Sequence, residues 1–309
     1  GDVVPKLQIG YILSLLEKNN CICYSLDCRI DKNIYGILNS YKDIEIAVIS
    51  FNTYDYKFAF KLAEKIKNNK EKIIIGIGPH ASSLPHTVVY EGSPFDYVLR
   101  GECEYDLIKL IENLDNKNEL KNINGLYSLG KKDSAISIID DVNGLPYPKY
   151  HLFGGRYYDI LPVDFLKKAM WGYVNASRGC PNLCTYCSPM NRVSYDYKYR
   201  IRPVKSVVDE IEYLISLDKN VIEFLDDNFT VSKRFVMDIC DEIRNRDLNI
   251  KWVAQAKIDT LNLELIDNMK EAGCFCIRTG IETGSNRIIK EVKKYNGDWK
   301  KLTIENFRH

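Results

Sequence analysis

The sequence predicts an α/β protein of two domains, each a series of βα units on a parallel sheet, and three observations predict it. Short β-branched runs alternate with segments of 3.6-residue apolar period along most of the 309 residues, the signature of βα units. The alternation fails once, from about Asp140 to Trp171, where "DVNGLPYPKYHLFGG" gathers Gly, Pro and Tyr and reads as a connector. Single cores rarely grow past roughly 250–300 residues, so a chain of this length, 45% hydrophobic, is expected to hold two. The domains are accordingly set at 1–139 and 172–309, joined by 140–171.

In the first domain "LQIGYILSLLEKNN" reads as helix, "CICYSLD" and "IEIAVISF" as strands, and "YKFAFKLAEKIKNN" as helix. "KIIIGIG" and "FDYVLRG" come next as strands and "EYDLIKLIENL" as helix, which together make a doubly wound domain. Such domains normally open on a central strand, whereas "VVP" is too short to be one, so this domain is expected to lack its first strand. After the connector come strand "YVNAS", a cysteine-rich loop, helix "VKSVVDEIEYLISL", strand "VIEFLDD", helix "SKRFVMDICDEIRNR" and strand "IKWVAQA". Helix "NLELIDNMKEAG", strand "CFCIRTGIE" and helix "SNRIIKEVKK" complete four βα units.

Lys plus Arg (43) nearly balance Asp plus Glu (42), a net charge of +1 that lacks the basic excess of most nucleic-acid binders. No apolar run approaches the roughly 20 residues needed to cross a bilayer, and residues 1–20 carry no signal-peptide pattern, so no membrane role and a cytoplasmic location are expected. Ten cysteines without a signal at this length read as thiols. Cys21, Cys23, Cys28, Cys103, Cys240, Cys274 and Cys276 lie mostly in apolar runs and read as small buried hydrophobes.

Cys180, Cys184 and Cys187 differ. They stand as CxxxCxxC within "SRGCPNLCTYCSP", a pattern that random placement would produce only about 0.01 times per chain. A structural zinc site wants four protein ligands, usually as two paired half-sites, and neither a second CxxC nor an HxxxH is present. An iron–sulfur cube held by three thiolates would keep one iron open for another ligand. The loop comes after the first strand of a βα series, where α/β proteins place their chemistry.

These residues, with Tyr186 just before the last cysteine, resemble the signature of the radical S-adenosylmethionine (radical SAM) superfamily. "YRIRPVKSVVDEI", "FLDDNFT" and "GIETGS" are similar to the segments beyond the cysteines in the subgroup that carries an N-terminal cobalamin-binding domain. Upstream, "IGPHAS", "RGECE", "NGLYS" and "GLPYPKYHLF" resemble that subgroup's cobalamin domain and connector, in order. The resemblance implies a Rossmann-like cobalamin-binding domain followed by a partial (β/α)6-type, TIM-like radical SAM barrel. It implies three cofactors: a 4Fe-4S cluster on Cys180, Cys184 and Cys187, S-adenosylmethionine on its open iron, and cobalamin. One-electron cleavage of S-adenosylmethionine then yields a 5′-deoxyadenosyl radical that abstracts hydrogen from carbon.

The resemblance also suggests roles. Tyr186 is expected to pack over the adenine or to shield the cluster. Asp226 and Asp227, ending the second strand of the series, are expected near the amino group of S-adenosylmethionine, where a charge-assisted bond would be strong; a strand-end Asp that caps the next turn is the alternative. Gln255 and Glu282 close the third and fourth strands and are candidates for nucleoside contact. Gly179 tolerates the tight backbone a cluster loop needs, and Arg178 either offsets thiolate charge or is structural.

Ser50, Thr53 and Gly78 are expected to embrace cobalamin, Gly78 because it allows a bulky ligand to approach the backbone. Here the sequence departs from the family at one point, since the usual paired glycine is Ile77-Gly78; the DxHxxG motif of other cobalamin proteins is absent, as it is from many members of this subgroup. His80 reads as a hydrogen-bonding residue rather than a cobalt ligand.

The reading is a cobalamin-dependent radical SAM methyltransferase acting at a carbon centre, with a small-molecule or peptide substrate and a one-electron reductant such as flavodoxin or ferredoxin. The alternatives are a radical cyclase or rearrangement enzyme without methyl transfer, and a non-catalytic iron–sulfur or cobalamin-binding protein. The family's barrel has six strands, and its ribose-binding pattern would come after Lys294, where fifteen residues remain. A core truncated after the fourth βα unit, and an inactive fragment, are therefore expectations as well.

Overall fold

The structure, a computed structural model, describes residues 5–31, 33–41, 43–67, 72–130, 135–151, 169–187 and 198–295. They fall into two compact units, Gln8–Ile139 and a second formed by Asp140–Cys187 with residues 198–295.

The first unit holds helices α1 (Leu7–Lys18), α2 (Ile34–Ser40), α3 (Tyr56–Lys67), α4 (Pro79–Ser83), α5 (Pro85–Val88), α6 (Glu104–Glu112) and α7 (Lys117–Leu120). Strands β1 (Ile46–Ser50), β2 (Ile73–Ile77), β3 (Tyr97–Leu99) and β4 (Leu126–Ser128) lie side by side in that order. The first three are parallel, and β4 runs antiparallel to β3. Successive side chains of β2 point to opposite faces and are buried on both. Ile75 and Ile77 pack with Ile12 and Leu16 of α1 and Leu107 and Leu110 of α6. Ile74 packs with Ala59, Phe60 and Ala63 of α3 and with Ala81 and Val88 of α4 and α5. Helices thus cover both faces, the doubly wound arrangement, and a strand buried on both sides explains the unbroken apolar run "IIIGI".

Two elements differ from expectation. Residues 21–27 form no strand: Cys21 and Cys23 rest against the core while Ile22 and Tyr24 are exposed. Alternation of this kind reports half-burial of an extended segment, and here it comes without a ladder of backbone bonds. The antiparallel edge strand β4 leaves no signal in the sequence, because three residues give no usable period.

The second unit carries β5 (Trp171–Val174), β6 (Ser177–Arg178), β7 (Arg200–Ile201), β8 (Val221–Phe224), β9 (Lys251–Gln255) and β10 (Cys274–Arg278). Its helices are α8 (Val204–Ser216), α9 (Lys233–Asn245), α10 (Leu263–Glu271) and α11 (Asn286–Glu291). The main sheet has the order β10-β9-β8-β5 and is wholly parallel, each strand added beside the one before it, as in a segment of a βα barrel. Ser232, Asn262 and Ser285 cap α9, α10 and α11 by accepting the backbone N–H three residues on.

A Cβ on Gly172 would lie 3.1 Å from the Leu214 side chain of α8, so Gly172 faces the helices and Tyr173 faces away from them. Glu223 is in register with Tyr173 and 1% exposed. It pairs with Arg278, two strands away, and makes the helix-free face polar. Among the described residues no helix is long and apolar enough to cross a membrane.

Candidate functional site

The cysteine loop leaves β5, and its base is fixed from several sides. Register pairs Val174 with Phe224, so Ala176 and Asp226, each two residues beyond, fall opposite one another. Asp226 Oδ2 accepts the Ala176 N–H at 3.0 Å, and Oδ1 accepts the Ser177 hydroxyl. Arg202 N–H donates to the Ala176 carbonyl at 2.9 Å, and its guanidinium donates to the Asn175 carbonyl at 3.0 Å while pairing with buried Glu210. Tyr150 Oη approaches from the other side, 2.5 Å from Glu210 Oε1 and 2.8 Å from the Tyr173 carbonyl oxygen.

Beyond this footing β6 pairs antiparallel with β7, Ser177 with Ile201 and Arg178 with Arg200. Gly179 comes next at φ +82°, and a Cβ there would collide with the Lys198 carbonyl oxygen. The loop needs glycine here for close passage of its two limbs as well as for the positive φ.

Cys180 is buried, and Cys184 and Cys187 are half-buried. Asn182 Nδ2 lies 3.1 Å from Cys180 Sγ, a hydrogen bond of the kind that tunes iron–sulfur centres. Cys187 N–H donates to the Cys184 carbonyl at 3.1 Å and makes the turn that brings the two together. Burial raises the Cys184 pKa, and the ammonium groups of Lys294 and Lys257 draw it back down.

Among the described residues no three His, Cys, Asp or Glu side chains converge on a point that would hold one metal ion. A cube takes each thiolate on a different iron, so its ligands do not converge in that way. Three thiols in one turn, a side-chain amide on one sulfur and two nearby cations fit such a cluster.

Sequence reasoning missed Lys257 and Lys294. They stand 37 positions apart and far from the cysteines in the chain, and only the folded sheet brings them close. It missed Arg202 and Glu210 likewise, since nothing in the pattern marks them as a buried pair.

The residues expected around S-adenosylmethionine divide. Asp226 is fully buried, and both its oxygens hold the loop's base, so it is a support rather than an open ligand. Burial is also what raises its pKa to about 7. Asp227 and Gln255 are exposed at the carboxyl ends of β8 and β9. Glu282 is engaged by Lys294 at 3.2 Å, and burial, together with the nearby Glu282 carboxylate, raises the Tyr186 pKa. Arg178 is half-buried in β6.

In the other unit Ser50, Thr53 and Gly78 lie together at the carboxyl ends of β1 and β2. Gly78 is buried at φ +95°, ψ −175°, and a Cβ would meet Phe51 O at 3.0 Å and Ser50 Oγ at 3.1 Å. The space a side chain would fill at residue 78 is therefore occupied by the adjacent loop rather than left open for a ligand, which corrects the expected reason for this glycine. Thr53 Oγ1 lies 3.1 Å from His80 Nδ1, and Thr87 Oγ1 lies 3.1 Å from Nε2. Burial lowers the His80 pKa, and with both nitrogens engaged it is a structural residue.

Gly78→Ala is expected to lower the unfolding free energy by roughly 1–3 kcal/mol even without ligand, because this backbone region is open almost only to glycine. A urea melt of the apoprotein checks it, and an unchanged midpoint would refute the account.

Residues 174–309 match the model of the Radical SAM superfamily. An uncharacterized methyltransferase of Pyrococcus horikoshii is 31% identical over 304 residues, which cover 95% of this chain and 64% of that protein. An anaerobic magnesium-protoporphyrin IX monomethyl ester cyclase of Rubrivivax gelatinosus is 24% identical over 252 residues, 78% of this chain and 44% of the relative. The fold is that of TsrM from Kitasatospora setae, a radical S-adenosylmethionine methyltransferase whose structure has cobalamin and a 4Fe-4S cluster bound. That likeness has a TM-score of 0.77 at 16% identity and covers 99% of this chain and 62% of TsrM. The chain thus spans less than two thirds of the length of each of these relatives.

Proposed function

We propose that this chain, whose residues 174–309 match the Radical SAM model, is a member of that superfamily and takes part in cobalamin-dependent methyl transfer to a carbon centre. The observation that carries the reading is the cysteine turn. Three thiols sit in one half-buried loop at the carboxyl end of a parallel strand, on a base fixed by Asp226, Arg202 and the β6–β7 pair.

When bound, the cluster and S-adenosylmethionine supply a 5′-deoxyadenosyl radical by one-electron cleavage, and cobalamin supplies the methyl carrier. The chain's own part is placement. Cys180, Cys184 and Cys187 would hold the cluster, with Asn182 donating to the Cys180 sulfur. Lys257 and Lys294 offset the charge of the thiolates. Asp227 and Gln255 are the exposed polar groups at the strand ends suited to the methionyl amine and the nucleoside, and Tyr186 offers a ring for the adenine. In the first unit Ser50, Thr53 and the Gly78 elbow line the sheet edge where an α/β domain binds its ligand. The cells that make this protein would supply a one-electron donor of the flavodoxin or ferredoxin kind.

A second reading, radical cyclisation without methyl transfer, is favoured by the likeness to the Rubrivivax cyclase. Anaerobic reconstitution with iron and sulfide is expected to give about four irons per chain and, with dithionite, release of 5′-deoxyadenosine from S-adenosylmethionine. Titration with hydroxocobalamin is expected to saturate at one per chain. Stoichiometric zinc without sulfide would overturn the cluster. An iron-loaded chain that ignores hydroxocobalamin would exclude cobalamin-dependent methyl transfer and leave a plain radical enzyme, while methylated product formed against S-adenosylmethionine consumed separates methyl transfer from cyclisation.

A further inference from the structure

Thr185 N–H donates to the Val292 carbonyl at 2.9 Å, so the turn between Cys184 and Cys187 is bonded to the end of α11. Lys294, two residues on, lies 3.2 Å from Glu282 Oε1, and its ammonium stands 5.5 Å from the centre of the Tyr186 ring and 5.7 Å from that of Tyr295. Tyr295 donates to the Gly280 carbonyl, which ties the same two stretches of chain together a second time. Lys294 is 15% exposed and sits between two rings, a setting in which an ion pair is less screened than on the open surface. Glu282 has φ +63°, a conformation that a non-glycine residue keeps only when its surroundings hold it there.

We infer that Lys294 is a positioning residue: with its ammonium on the Glu282 carboxylate and beside the Tyr186 ring, it latches the turn bearing Cys184 and Cys187 to the segment after β10. This rests on the reading that the cysteines hold a cluster only for what the latch is for. A second consequence comes from charge. Lys257 is already paired with Asp259 at 2.7 Å, so removal of Lys294 would take a positive charge away from the cysteine turn. A cluster there would become harder to reduce.

The test uses the 309-residue chain with Lys294→Met, Lys294→Arg and Tyr186→Phe, first as apoprotein by hydrogen exchange. In the Met variant the amides of 183–187 are expected to exchange on the order of fivefold faster, while those of β1–β3 do not change. The Arg variant should restore slow exchange, and Tyr186→Phe, which keeps the ring beside Lys294, should exchange as slowly as the wild type. Unchanged exchange at 183–187 in the Met variant would overturn the latch.

In the reconstituted protein, the reduction potential followed by electron paramagnetic resonance is expected to move to more negative values in the Met variant and to return in the Arg variant. Equal potentials in all would overturn the role of the charge. Faster exchange in a Met variant of a chain that takes up no iron would uphold the latch and remove the cluster reading, so the two failures are distinct.

Discussion

Cys184→Ala is expected to abolish the charge-transfer absorption of the reconstituted protein and to reduce S-adenosylmethionine cleavage below detection, while the fold stays intact. Two thiolates remain, and two cannot hold a cube against loss of its irons. Cys184 sits half-buried in a loop rather than on a strand or helix, so its truncation is expected to change stability by only about 0.5 kcal/mol. Cys240→Ala is the matching control. Its thiol is buried among Phe235, Val236, Ile239 and Ile243 on α9, and burial raises its pKa to about 12. That variant should lose stability and keep its iron. Full iron occupancy in Cys184→Ala, with the absorption intact, would refute the assignment of the ligands.

The second large effect is expected at Asp226, as a dependence of stability on pH. The carboxyl is pushed up from 3.8 to about 7 because it is buried, even though the Ser177 hydroxyl and the Ala176 N–H both favour its charged form. Between those two values the folded chain keeps a proton that the unfolded chain has released, so stability falls as pH rises. The penalty is absent below about pH 4 and complete above about pH 7, and at about 1.4 kcal/mol per pH unit it amounts to at most roughly 4 kcal/mol. Asp226→Asn keeps an acceptor for Ala176 and a partner for Ser177 without the charge. It is expected to exceed the wild type in urea midpoint at pH 8 and to match it at pH 4. Asp226→Ala leaves the Ala176 N–H without its acceptor and should be about 1–3 kcal/mol less stable than Asp226→Asn at every pH. Parallel wild-type and Asn profiles from pH 4 to pH 8 would refute this account.

Asp226 also shows how far the sequence could be read. That it ends a strand is legible in "VIEFLDD"; that it turns back onto Ala176 depends on the pairing of Val174 with Phe224, fifty residues away, which no local pattern records. Helix starts were legible because their causes are local: Ser232, Asn262 and Ser285 each cap the turn directly after them. The cysteine turn was legible for the same reason, its three ligands lying within eight residues. "CICYSLD" misled because half-burial and strand pairing leave the same alternation. Gly78 stands out correctly for its backbone, but the neighbour it accommodates, Phe51, lies on another loop and became visible only in the fold.

The pairing of Ser177 and Arg178 with Arg200 and Ile201 bears on how such a protein is matured and repaired. Joining two distant points of a chain costs entropy that grows with the logarithm of their separation, and here strand pairing joins residues 178 and 200. In small zinc modules, folding and metal uptake are one event, and a chelator denatures them. In this chain the footing of the loop consists of contacts between protein groups, the buried Arg202–Glu210 pair and the bonds from Ala176 and Ser177 to Asp226, none of which is a cluster ligand. Folding and iron uptake are therefore expected to be separable, so that chelation of the iron leaves the sheet folded and able to be reloaded.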